Sequence, residues 1–366
     1  MKMRKKEMKI TVLGNSLITI SLASALLECT TANVVVISHS NLMEVDSIKL
    51  LTNRGVLNSI ITTTKDENEN LSMLNERMHK LGCRVAYVKS DDPQFNNIIL
   101  NSSLVISCCR SGLYKYYVDK FNRMSIVDHY IPIISVDNDE SVYKIAAEKN
   151  RNSHIGYYKG TIHSVVSKRV LDSNSMLYYG SGFVHLFLPD ILSRDIIEIT
   201  NLPISKAHAR IKICSKEDME YCNLIKRINI NMVHSIISGI ALYNSVESNG
   251  LSIEETLMLP INKVLSYDAI CNMMQDIVNE CRRYYLSYYD LGYKKSNELD
   301  TSEFMKYLFS SDEEVVVRGM PIDNFANLEK HIDDLRFAMK ALECTNSGLY
   351  KTVKCIKEYI ENIRII

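Results

Sequence analysis

The sequence predicts an α/β chain in two parts, a doubly wound parallel sheet followed by an all-helical domain. Three observations carry this. Short, unalternating β-branched runs recur through the first third, apolar stretches at helical spacing separate them, and helical patterns dominate from about residue 200. The runs are KITVLG (Lys9 to Gly14), NVVVIS (Asn33 to Ser38), RVAYV (Arg84 to Val88), SLVISCC (Ser103 to Cys109) and IPIISV (Ile131 to Val136). Strands buried on both faces read as continuous apolar runs, which suits a parallel sheet with right-handed crossovers. LITISLASALLE and LSMLNERMHKLG supply intervening helices. LPISKAHARIKI (Leu202 to Ile213) reads as a last strand or a crossing segment, and long helical patterns follow it. The expected domains are 1–200, a Rossmann-type dinucleotide-binding unit, and 201–366, a helical substrate and catalytic unit.

Bulk composition narrows the function. The chain has 366 residues, too many for one small core. Forty-three basic residues balance forty-three acidic ones, which argues against a nucleic-acid or membrane-surface role. Charged residues make up 23%, as in ordinary globular chains. No apolar stretch approaches the roughly 20 residues that span a bilayer. The ten cysteines form no paired CxxC motifs and read as reduced, mostly buried thiols of a cytoplasmic protein. His154 and His163 have no carboxylate at ligand spacing, so no metal is expected.

In a doubly wound sheet the first strand-to-helix turn holds phosphates. Here it is GNSLIT, Gly14 to Thr19. Only the first glycine of the G-x-G-x-x-G fingerprint is present. Ser16 stands at the second position and Thr19 at the third. Gly14, Asn15 and Ser16 are the candidate phosphate contacts at the helix N-terminus. The second strand ends in Ser38-His39-Ser40, where a carboxylate would hold the adenosine ribose. Two readings stay open: NADP is admitted, with His39, Lys49 or Arg54 attracting its extra phosphate, or tight nucleotide binding has been lost.

The segment KRININMVHS (Lys226 to Ser235) sets three polar groups in an apolar helix. At about 100° per residue His234 lies about 80° from Lys226, and Asn231 lies about 60° and about 140° from the two, so all share one broad face. A lysine in poorly solvated surroundings gives up its proton more easily and suits a general base, with Asn231 and His234 to hold and orient an oxygen. The alternative is a lysine reaching to solvent and a satisfied core histidine.

The K-x4-N-x2-H stretch, with HSIISG after it, resembles the catalytic signature of the polyol-specific long-chain dehydrogenases, nearest to their mannitol-1-phosphate 5-dehydrogenase branch. PIISVDND (Pro132 to Asp139) is similar to the family's strand ending in an acid followed by asparagine, here Asp137 and Asn138. GTIHSVVSKR (Gly160 to Arg169) resembles F-P-N-S-x-V-D-R, with His163 and Lys168 in altered positions, and VVVRGMPIDNF (Val315 to Phe325) resembles R-D-P-x-R-K, keeping Arg318. The resemblance implies an NAD(P)-dependent, metal-independent hydride transfer between a polyol, or polyol phosphate, and a keto sugar. Lys226 would be the base, Asn138 and Asn231 would stabilise the alkoxide, and His234 would orient substrate. Asp137, beside Asn138, falls to the cofactor, and His163, Lys168 and Arg318 fall to a small-molecule substrate. A monomer or homodimer is expected. Missing glycines and a charge-altered perimeter point to a changed substrate, and leave open a non-catalytic paralogue that binds a ligand or partner. An opine-type dehydrogenase would need a basic carboxylate clamp, which the sequence does not reveal.

Overall fold

The computed structural model describes residues 9–14, 18–19, 22–23, 26–27, 32–38, 47–52, 55–58, 60–61, 71–80, 85–109, 111–124, 129–136, 140–172, 175–190, 209–252, 261–289, 301–309 and 325–363. The chain forms two compact units, residues 1–219 and 220–366.

The first unit begins β1 (Lys9–Leu13), β2 (Asn33–Ser38), β3 (Ser47–Thr52), β4 (Gly55–Asn58), β5 (Ile60–Ile61), α1 (Leu71–Lys80), β6 (Val85–Lys89) and α2 (Phe95–Leu100). It continues with β7 (Leu104–Ser107), α3 (Ser111–Phe121), β8 (Ile131–Ser135), α4 (Glu140–Glu148), β9 (Ile155–Lys159), β10 (Thr161–Asp172), β11 (Ser175–Pro189) and β12 (Ala209–Cys214). Seven strands form one sheet in the order β5-β6-β2-β1-β7-β8-β9, every neighbour parallel. Without the two-residue edge strand β5 this is the doubly wound dinucleotide-binding order, with its reversal between β1 and β7.

The unalternating strand sequences follow from burial on both faces. In β2, Val34 and Val36 enter one core with Ile10, Val12, Leu22 and Leu26. Val35 and Ile37 enter the other, with Phe95, Ile99, Tyr117 and Phe121. The described residues of 18–27 are helical, as expected from LITISLASALLE.

A second sheet was not foreseen. It runs β10-β11-β3-β4, with β12 added against β11. β10 and β11 are antiparallel, with register shifts between Val165 and Ser167 and between Val170 and Asp172. Ile162, Leu186 and Leu188 tie its base to the first core. Gly160 joins β9 to β10, and a Cβ there would lie 2.6 Å from Ile134 Cγ2 and 3.0 Å from the Phe187 carbonyl. The Leu202 to Ile213 segment contributes a strand, since β12 pairs in parallel with β11. That pairing places β12 with the first unit.

The second unit is helical. A continuous rod comprises α5 (Lys216–Lys226), a π-helical turn (Arg227–Met232), α6 (Val233–Tyr243) and a second π turn (Asn244–Ser248). Then follow α7 (Ile261–Val264), α8 (Tyr267–Tyr288), α9 (Thr301–Leu308), α10 (Phe325–Cys344) and α11 (Tyr350–Ile363). The start of α5 is capped by Ser215 Oγ, which accepts the Asp218 N–H at 3.1 Å. Ile228, Met232, Ile236 and Ile237 are buried with Met274, Ile277, Leu335 and Ala338. No helix among the described residues is long and apolar enough to cross a membrane.

Candidate functional site

Two places in the fold carry the residues singled out from sequence. The first is the carboxyl edge of the parallel sheet. Gly14 ends β1 with φ +144, and its N–H donates to the Ile37 carbonyl at 3.0 Å. A Cβ at Gly14 would strike Thr19 Oγ1 and lie 3.3 Å from Cys108 Cβ. Thr19 is buried, so the bulk that replaces the third fingerprint glycine fits because position 14 has no side chain. Ser38 is buried at the end of β2, beside Ser90, whose N–H donates to the Ser38 carbonyl at 2.9 Å. Ser107, Cys108 and Cys109 close β7, and Ser135 closes β8. Small side chains along the reversal point suit a dinucleotide approached through backbone.

Other expectations sort differently. Asn15, Ser16, His39, Asp137, Asn138 and Arg318 lie outside the described residues. His163 is 0% exposed on β10, with its ring 4.9 Å from that of Phe187, centroid to centroid. Lys168 lies on β10 opposite Tyr178. Lys49, read as a loop residue, sits in β3 opposite Leu177 and Asn58. Among the described residues no group of three His, Cys, Asp or Glu side chains could hold a metal.

The second place is KRININMVHS. The regular α-helix expected there is interrupted: Arg227–Met232 form a π turn, and Lys226 is the last residue of α5 before it. In a π turn each N–H bonds the carbonyl five residues back, so the turn is wider than an α-helical one. Lys226 and Asn231 are five apart. An α-helix would have splayed them by about 140°. Lys226 is 8% exposed, and Asn231 and His234 are half-buried.

The partners of this turn come largely from α10, and sequence reasoning passed over them. Ser235 Oγ donates to the Asn231 carbonyl at 2.9 Å and lies 2.7 Å from His331 Nδ1. A hydroxyl has one hydrogen, so with it committed to Asn231 the oxygen accepts from His331 Nδ1–H, leaving Nε2 unprotonated in the neutral ring. Burial, reinforced by His234 and Lys330, pushes the His331 imidazole down to about 3. The His234 and His331 rings meet edge to face at 5.6 Å. At the other end of the turn Arg227 Nε donates to Asp334 Oδ1 at 3.3 Å, and its guanidinium lies 4.1 Å over Phe337. Burial raises the Asp334 carboxyl above its usual range, against the pull of Lys330 and Arg227. On the buried side Arg282 Nε donates to Asn229 Oδ1 at 3.0 Å. A helical histidine three residues before a buried aspartate was the available signal, but nothing in LEKHIDDLRFAM shows which helix it meets.

No family model matches the chain, and no curated protein does. Solved structures do. A 2-dehydropantoate 2-reductase from Geobacter metallireducens is 11% identical, with 97% of this chain and 100% of that chain covered and a TM-score of 0.52. A 2-dehydropantoate 2-reductase from Methylococcus capsulatus is 13% identical, with 98% and 97% covered and a TM-score of 0.50. At such identities the likeness is one of fold: a Rossmann-type sheet followed by a helical region, shared along nearly the whole chain. These structures are keto-group reductases by name and not polyol dehydrogenases.

Proposed function

We propose that the chain is an NAD(P)-dependent oxidoreductase that interconverts a secondary alcohol and a ketone on a small hydroxy compound. The observation that carries this reading is buried Lys226 at the start of a π turn that holds Asn231, with His234 just beyond it. That arrangement suits proton exchange at one oxygen. Lys226 takes the alcohol proton, Asn231 donates a hydrogen bond to the oxygen as charge develops, and His234 orients a neighbouring hydroxyl. The bound nicotinamide supplies hydride transfer. Gly14, Asn15, Ser16, Ser38, His39 and Asp137 are assigned to the dinucleotide. By the polyol-dehydrogenase resemblance Asn138 is assigned to the reacting oxygen, and His163, Lys168 and Arg318 to the substrate. None of these steps requires a metal.

Two substrate classes follow. The K-x4-N-x2-H resemblance favours a polyol or polyol phosphate, in the manner of mannitol-1-phosphate 5-dehydrogenase. The 2-dehydropantoate 2-reductases of like fold favour a 2-keto acid. A panel of polyols, polyol phosphates and 2-hydroxy acids with NAD and NADP, read by absorbance of the reduced nicotinamide, separates them. We expect turnover on one class with one of the two cofactors. Nicotinamide binding with no turnover on any member would favour the non-catalytic paralogue, to which the altered GNSLIT turn lends itself.

A further inference from the structure

Helix α10 grips the π turn at both ends. His331 reaches Ser235, and through it the Asn231 carbonyl, while meeting the His234 ring edge to face. One turn further along α10, Asp334 bonds Arg227, the first residue of the π turn, and the Asp333 carbonyl accepts from the same guanidinium at 3.4 Å. Phe337 stacks beneath that guanidinium and on Tyr285, whose hydroxyl donates to the Phe337 carbonyl at 2.7 Å. A π turn is a rare departure from the α-helix. Here four residues of one neighbouring helix fix its two ends.

We propose that His331 is a positioning residue for the Lys226, Asn231 and His234 group. It acts through the Ser235 hydroxyl on the backbone at Asn231 and through ring contact on the imidazole of His234. This rests on the reading of that group as the proton-transferring one. His331 itself exchanges no proton with substrate. It holds the π turn that carries Asn231 between Lys226 and His234.

The test uses the full chain with the substrate and cofactor found in the panel above. His331→Phe removes the donor and Ser235→Ala removes the bridge; each is expected to lower kcat about 10- to 100-fold, because small misplacements of a reacting group are costly. Neither should move KM for substrate or nicotinamide more than about threefold, since bound contacts are kept. His331→Asn places an amide N–H where Nδ1–H stood and is expected to restore most of kcat. Wild-type kcat in Ser235→Ala, or no restoration by His331→Asn, overturns the proposal. Hydrogen exchange gives a readout that needs no turnover. Amides of residues 227–235 should exchange about fivefold faster or more in both disruptive variants, with those of 267–288 unchanged. Unchanged exchange at 227–235 overturns the brace even in an active enzyme. Accelerated exchange in a chain that turns over nothing upholds the brace and counts only against the oxidoreductase reading.

Discussion

Lys226→Ala is expected to lower kcat by about 10²- to 10⁴-fold, the usual contribution of a positioned proton acceptor. Nicotinamide affinity should change by less than about threefold, because the side chain acts in the chemical step and not in binding. The expectation follows from where the residue sits. Lys226 is 8% exposed at the end of α5, and Asn231 lies within the π turn that follows it. A lysine merely shielding apolar surface would leave a stability change and no selective loss of kcat. Steady-state kinetics paired with a binding titration separates these outcomes. Collapse of affinity with kcat retained would remove Lys226 from the base role.

The second large effect is on acid stability. Folding lowers the His331 imidazole from 6.5 to about 3, chiefly by burial. Between those values the unfolded chain binds a proton that the folded chain refuses, so this residue costs stability as pH falls. Its contribution is intact above about pH 6.5 and is lost at about 1.4 kcal/mol per pH unit below that. His331→Asn abolishes the titration while keeping a donor to Ser235. Urea unfolding from pH 7 to pH 4 should show the wild type losing stability more steeply than the variant, by about that slope. Parallel curves would mean that His331 takes up a proton without disturbing the fold. Asp334 works in the opposite sense. Its carboxyl is raised by burial, so its contribution weakens as pH climbs through the raised value, and Asp334→Asn isolates that effect.

The parallel sheet was legible because strands buried on both faces leave an unbroken apolar signature. NVVVIS matches β2 residue for residue, and the run after Lys9 stops at Gly14, where φ +144 ends regular pairing. The second sheet was not legible. In β10, the TIHSVVSKR pattern reads equally as a strand or as a ligand segment, and β3 pairs with β11 more than a hundred positions away. Register over that distance depends on packing and not on local pattern.

At the candidate site, Lys226, Asn231 and His234 stood out by residue type and spacing. Their geometry did not. An angular reading assumes 3.6 residues per turn, and a π turn changes which residues align without any local sequence mark. His331 was passed over for a related reason. Its partner Ser235 lies 96 positions earlier, and a histidine on an amphipathic helix carries no sign of what it will meet. The Thr19 position shows the converse. Thr19 replaces the third fingerprint glycine, and the bare Cα of Gly14 supplies the room for its side chain.

The central claim is that this sheet edge still binds a nicotinamide dinucleotide despite two absent glycines. Titrating the wild-type chain with NADH and with NADPH, followed by nicotinamide fluorescence, tests it directly. Saturable micromolar binding of one of the two is the result the fold leads to. Flat titrations with both, on chain shown to be folded, would contradict it.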